Sequence, residues 1–366
     1  MLCSASRPVW KSTRKLLGYK RFFPFSKIRS MPMHRRIAVF LCSLSVLLAW
    51  MPAQAQVHPG EAALVREVAA ATGKDPARLT ALLDSAHKQQ SILDAISRPA
   101  EKKLEWKDYA PIFLGASRID GGIAFYREHR ALIDATARKY GVAPSYLVAI
   151  LGVETRYGRI TGKYKVLDAL VTLAFYYPPR QKFFRQQLKT LLELPSNKLA
   201  GPIDTLTGSY AGAQGWGQFM PSSIRKYAVD ADHDGHIDLH DSLPDILASV
   251  ANYLHQHGWQ PGEPVAARAQ AQSGTSALPY LPVPPAHGIE HYEALGYAPL
   301  ESLPADARVN LLTLQGPEGA QHWFTFNNFY VITRYNRSPM YAMAVRDLAR
   351  AIAAGVHDAR TAEAAP

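Results

Sequence analysis

Apolar residues recur every three or four positions along most of residues 59–260, the repeat of a helix with one buried face, and that repeat breaks down after Pro261. Between Pro59 and about Tyr140, the segments EAALVREVAAATG and PARLTALLDSAHKQQSILDAI follow it, with Gly73 and Pro76 marking an interruption. The same spacing predicts helices over 131–140, 144–156, 167–175, 182–194 and 245–257, the last ending at Gly258. Residues 261–304 then carry eight prolines. After them, 309–315 and 322–333 are rich in β-branched and aromatic residues and predict strands of a small β unit. Helix returns over 338–354. The pattern gives a mainly α chain without internal repeats. Its expected parts are an N-terminal extension with a signal peptide (1–55), a helical domain (56–135), a core (136–260), a β-rich insertion (261–321), the C-terminal part of the core (322–352) and a polar tail (353–366).

Charge changes this picture only at the N-terminus. The chain of 366 residues has a formal charge of +11, but ten of its 41 basic residues and none of its 30 acidic ones lie in residues 1–55. From Gln56 onward the net charge is +1, which speaks against nucleic acid as a partner. The first 55 residues read as an export signal: His34-Arg35-Arg36, an apolar run from Ile37 to Trp50, and Ala53-Gln54-Ala55 for cleavage. A start at Met31 or Met33 fits that signal best. Cys42 follows Val39-Phe40-Leu41, where small residues would be expected before a lipid-modified cysteine, so lipid anchoring is not expected. Cys3 and Cys42 both fall in the leader, leaving no disulfide for the remainder. A periplasmic, monomeric protein is expected.

Candidate chemistry begins with PSYLVAILGVETRYG, residues 144–158. Leu147, Ile150, Leu151 and Glu154 share one helix face, so Glu154 is an acid on an apolar surface. Such a carboxyl either pairs with a cation, here Arg156 or Arg159, or holds a proton and becomes a candidate general acid.

A second stretch, Asp230-x-Asp232-x-Asp234-Gly235-His236-x-Asp238-x-x-Asp241, has the spacing of an EF-hand-like calcium loop at 230–241. Asp230, Asp232 and Asp234 would offer carboxylates and His236 its carbonyl, with Asp238 direct or through water. Position 12 is Asp241 in place of the usual Glu, which leaves closure open to Asp245. The loop occurs once, so a structural Ca2+ is expected rather than a signalling one. The third stretch, GSYAGAQGWGQFMPSS (208–223), alternates small residues with Tyr210, Trp216 and Phe219, punctuated by Ser209, Gln214 and Gln218. Small residues let backbone approach a ligand; aromatics suit sugar faces and amides suit hydroxyl or acetamido groups. A tight turn packed on the core is the plainer reading. Tyr335-Asn336-Arg337-Ser338-Pro339-Met340-Tyr341 opens the last helix.

Together, GVETRYG, GSYAGAQGWGQFMPSS, the DxDxDGH loop, SVANYLHQHGW and RYNRSPMYAMAV resemble the B family of membrane-bound lytic murein transglycosylases, glycoside hydrolase family 103, over about residues 101–345. The resemblance implies a goose-lysozyme-like helical core, cleavage of the MurNAc–GlcNAc bond of peptidoglycan, and a calcium site in the acidic loop. It implies Glu154 as acid and base and Ser209 and Gln218 as sugar contacts, with Tyr253, Tyr335, Asn336 and Tyr341 lining the groove. Where relatives carry an Arg pair after NYP, this chain has Tyr177-Pro178-Pro179-Arg180, leaving Arg180 alone to meet a peptide stem. Glycan strands are the implied partner, with proteins of a wall-synthesis complex as further candidates.

Ordinary glycosidases use two carboxyls, about 5 Å or roughly 6.5–9.5 Å apart. The candidate seconds here are Asp168 and Asp204, neither in a motif. One carboxyl suffices if the MurNAc acetamido group attacks C1 and the C6 hydroxyl then closes a 1,6-anhydro ring. The rival readings are a muramidase with the same acid and a recruited water, and a non-catalytic calcium-dependent wall-binding protein.

Overall fold

The structure is a computed structural model that describes residues 57–98 and 104–363; the expected leader and its cleavage site lie outside the described residues. Local signals set the first helix ends. Helix α1 (Glu61–Thr72) stops where Gly73 turns left-handed at φ 70° and its N–H donates to the Ala69 carbonyl. Helix α2 (Pro76–Asp84) starts with the Asp75 side chain accepting from the Ala77 N–H and with Pro76 in its first turn. Then come α3 (Gln90–Ile96), α4 (Trp106–Leu114), α5 (Ala116–Glu128), α6 (Arg130–Tyr140) and α7 (Pro144–Thr155).

A short antiparallel ribbon, β1 (Tyr164–Lys165) with β2 (Thr207–Gly208), flanks α8 (Val166–Tyr176) and α9 (Gln181–Glu193), which pack on each other. Helices α10 (Pro221–Tyr227) and α11 (Leu243–Gln256) lie on either side of the acidic loop. The β unit is a five-stranded antiparallel sheet of order β4-β6-β7-β3-β5. Its strands are β3 (Ala266–Ala271), β4 (His287–Gly288), β5 (Tyr297–Pro299), β6 (Arg308–Gly316) and β7 (Gly319–Thr325), with α12 (Ile289–Glu293) between β4 and β5. Helices α13 (Asn327–Tyr335) and α14 (Pro339–Glu363) complete the order.

Helix α14 packs across α4, α5 and α7, so segments from both sides of the β unit share one core. Leu147, Ile150 and Leu151 of α7 meet Ala342, Val345 and Leu348 of α14 in that core, all fully buried. The sheet is apolar on both faces, as its strand alternation requires. Leu312, Leu314 and Trp323 face the main core; Val309, Leu311 and Phe324 form a second cluster with Ile289 and Tyr292 of α12. The buried Arg346 of α14 donates to the Ala266 carbonyl at 3.0 Å and lies 4.6 Å from the Trp323 ring centre, fastening the sheet to the helices.

Three expectations change. Residues 322–333 are not one strand: β7 ends at Thr325 and α13 begins at Asn327. The aromatic and β-branched run gives way because Asn328, Phe329, Val331, Ile332 and Thr333 bury themselves at helical spacing, and packing overrides strand propensity. Strand β3 was not legible in AARAQA, which has no β-branched or aromatic residue. The expected tail from 353 is helical as far as Glu363. Among the described residues, no helix is long and apolar enough to cross a membrane.

Candidate active site and acidic loop

Helix α7 is apolar nearly all round, and Glu154, half-buried in its last turn, is the acidic residue it carries. The helix stops in a crossed pair of hydrogen bonds: Arg156 N–H to the Gly152 carbonyl at 3.2 Å, and Tyr157 N–H to Leu151 at 3.1 Å. That closure normally takes glycine, yet Arg156 and Tyr157 have φ 52° and 60°. Gln218 (φ 50°) and His233 (φ 62°) are the other non-glycine residues with left-handed φ among those described. Strain thus gathers around the candidate motifs, as it does at functional sites.

Tyr341, in the first turn of α14, donates to Glu154 Oε1 at 2.7 Å. Its ring stacks on that of Tyr335 at 6.5 Å, and the Tyr335 hydroxyl donates to the Gly217 carbonyl. Burial, reinforced by the charge of Glu154, pushes both phenols well above their ordinary value, so they stay protonated and act as donors throughout the physiological range. Arg156 and Arg159, the cations that might have paired with Glu154, are exposed.

The glycine-rich stretch folds back on itself through bridges between Gly208 and Gln214 and between Gln214 and Phe219. Thr155 Oγ1 joins it to α7 by donating to the Trp216 carbonyl at 3.0 Å while accepting from the Gly158 N–H at 3.1 Å. Glycine is required at the closest approaches: a Cβ on Gly158 would lie 2.1 Å from the Trp216 ring, and one on Gly162 would lie 2.1 Å from the Gly208 backbone. Thr155 follows Glu154 directly and was not singled out in the sequence; a side chain that could both give and accept was the available signal.

Several expected sugar contacts have other work. Ser209 Oγ accepts from the Ala211 and Ala213 N–H groups at 3.3 and 3.1 Å. Gln218 Nε2 donates to Thr161 at 3.0 Å and Gly215 at 2.8 Å, and Asn336 Oδ1 accepts from the Ser338 N–H at 3.1 Å. Phe219 and Tyr253, expected against sugar, are 2% and 8% exposed, packed on each other and on Tyr335. The three rings, with the Tyr253 hydroxyl donating to the Arg334 carbonyl, make a closed cluster. Arg180 is exposed and lies over Phe183 and Phe184 at 4.5 and 5.0 Å. Of the candidate second carboxyls, Asp168 is buried and accepts from His87 N–H and Gln89 Nε2 at 3.0 and 3.1 Å, while Asp204 is exposed in a loop. Asp168 thus anchors the loop leading into α3.

In the acidic loop, carboxylate oxygens of Asp230, Asp232 and Asp245 lie within 4.8 Å of one another. Asp245 is buried at the start of α11 and accepts from Ala231 and Asp238 N–H groups at 2.7 and 2.8 Å. Burial raises its carboxyl above the ordinary range, and the charges of Asp232 and Asp230 add to that. Asp230 Oδ1 is buried without a hydrogen-bond partner. An orphaned carboxylate oxygen among like charges is what a cation relieves, so this set fits one. Asp234 and Asp238 turn inward on the loop, accepting from His236 and His240 N–H groups at 2.7 Å, and Asp241 and His236 are exposed. The Leu239 carbonyl accepts from the Trp216 N–H at 3.0 Å, linking loop, glycine-rich stretch and α7 in series.

A helical core with one held carboxyl at a helix end beside a backbone-dense loop is the arrangement of a lysozyme-like enzyme acting on a glycan. The family model described as "Transglycosylase SLT domain" matches residues 56–350. The chain is 38% identical over 292 residues to the membrane-bound lytic murein transglycosylase B of Escherichia coli K12, covering 77% of this chain and 79% of that protein. It is similar to the crystal structure of the soluble lytic transglycosylase SltB1 from Pseudomonas aeruginosa, with 44% identity, TM-score 0.75, and 81% and 99% of the two chains covered. It is also similar to the Escherichia coli lytic transglycosylase Slt35 in complex with calcium, at 36% identity and TM-score 0.75, covering 84% and 96%. The chain belongs to the SLT transglycosylase family and is a lytic transglycosylase acting on peptidoglycan.

Proposed function

We propose that Glu154 is the single acid and base of this enzyme and that it cuts the MurNAc–GlcNAc β-1,4 bond with formation of 1,6-anhydroMurNAc ends. The observation that carries this reading is the Tyr341 hydrogen bond to Glu154 Oε1, which orients one carboxyl, while Asp168 is occupied elsewhere in the fold. Protonated Glu154 gives its proton to the bridging oxygen as the C1–O bond breaks, and the MurNAc acetamido oxygen bonds to C1. The resulting carboxylate takes the C6 hydroxyl proton, O6 bonds to C1, and the acetamido oxygen leaves. Glu154 ends as it began, and no water is consumed. The Tyr341 donor supports the carboxylate that forms when Glu154 gives up its proton.

Asp230, Asp232 and Asp245 hold a structural Ca2+ in this reading, with Asp245 rather than Asp241 closing the site; the ion ties the loop together and takes no part in bond cleavage. The protein acts in the periplasm on glycan strands. Its test is Glu154→Gln, which keeps the side-chain shape and removes the transferable proton. General acid–base catalysis contributes ~10²–10⁴-fold, and one residue serves both steps here, so clearing of purified sacculi should fall by the upper end of that range or more. A variant retaining over about a tenth of wild-type turnover would remove Glu154 from the role.

A further inference from the structure

Two residues beyond Glu154 the chain enters a cavity of about 320 Å³ whose walls include Pro111, Arg118, Arg156, Tyr157, Arg159 and Ile160. Among the described residues, three guanidinium groups and no carboxylate line it. Among the described residues, none of the three arginines forms an ion pair. Arg118 is the fixed member: it donates to the Gly152 and Ile112 carbonyls and accepts the Tyr157 hydroxyl on its own carbonyl at 2.7 Å. Burial, and then the like charge of Arg156, lowers its pKa. Arg156 and Arg159 are exposed at its mouth. The rim is apolar, with Ile112 and Ile160 exposed to 45% and 58%. The loop is preorganised, since Thr155 Oγ1 holds Gly158 and Tyr157 bonds to α5.

We propose that this cavity is a subsite for the peptide stem of the substrate, with Arg156 and Arg159 receiving its carboxylates and Ile112 and Ile160 its small apolar side chains. The proposal rests on the peptidoglycan-cleaving reading above. It assigns stem recognition to the turn that follows the candidate acid, not to Arg180, whose guanidinium lies over two phenyl rings. Bound there, a stem would fix its own MurNAc relative to Glu154, and charge-assisted bonds from arginine forks favour carboxylates over neutral groups.

The test compares glycan strands that carry stem peptides with the same strands stripped of them by an amidase. Wild-type enzyme should show the higher kcat/KM on peptide-bearing strands, with the advantage shrinking as salt is raised. Arg159→Gln should lower kcat/KM about tenfold more on peptide-bearing than on stripped strands. Arg156→Asn, which tolerates the left-handed backbone at φ 52°, should do the same. Equal losses on both strands, or no loss on either, would overturn the subsite and leave turnover by Glu154 untouched. Failure of the Glu154 reading shows separately, as retained cleavage of both strands by Glu154→Gln.

Discussion

Glu154 depends on a neighbour 187 positions away, because the hydroxyl that orients it belongs to Tyr341 on α14. A hydrogen bond to a charged group is worth about 1.5–3 kcal/mol, so Tyr341→Phe should reduce kcat by roughly ten- to a hundredfold while KM changes little. Steady-state kinetics on sacculi separate this from a binding defect, and an unchanged melting curve shows that the ring still packs. Some candidates are legible wherever local pattern carries the message. An acid in PSYLVAILGVET stands out without a structure, and so does the alternation of the acidic loop. Which phenol holds the acid is a long-range fact. Phe219 was expected at sugar from its residue type and Tyr253 from the family resemblance, and neither tells an exposed ring from a covered one: both are buried.

At the scale of elements, helix α7 could be placed to within a residue from Pro144 and the apolar run, because its boundaries are set by local rules. The β unit could not. Its inner strand β3 sets Ala267 opposite the buried Phe324 and Arg268 opposite Trp323, pairings found only across the sheet. The junctions between elements carry the tightest constraints. Gly162 has φ 102° and backbone in the way of any Cβ, whereas Gly258 has φ 88° with open space around it. Gly258→Ala should therefore cost only the left-handed penalty of about 1–2 kcal/mol. Gly162→Ala should cost distinctly more and also slow turnover, since it pushes on the wall beside Ser209. Denaturant melts of the two variants make the comparison.

For the molecule as a whole, the loop at 230–241 should act as a clip. A ligand at a hundredfold excess over Kd adds about 2.7 kcal/mol, so chelation should lower Tm while initial rates at low temperature hold. An Asp230→Ala protein should melt alike with and without calcium. The pH dependence has a defined sign. Asp245 in the folded protein sits above its ordinary value of 3.8, so without metal it contributes stability that is fully present below 3.8 and is lost as pH rises through the folded value. Calcium needs the ionised carboxylates, so its increment in Tm should run the other way, largest near neutrality and shrinking on acidification. Calorimetry with calcium and with chelator across that range gives both slopes. The series of contacts from Leu239 through Trp216 and Thr155 to the end of α7 explains why the clip would matter to the site at elevated temperature.

The claim on which the rest depends is that one carboxyl and the substrate's own groups complete the reaction without water. Mass spectrometry of the fragments released from purified sacculi reads this directly. The expected fragments end in 1,6-anhydroMurNAc, lighter by one water than hydrolysis products and unchanged by borohydride. Fragments ending mainly in reducing MurNAc would contradict the mechanism and make the enzyme a muramidase that uses the same acid.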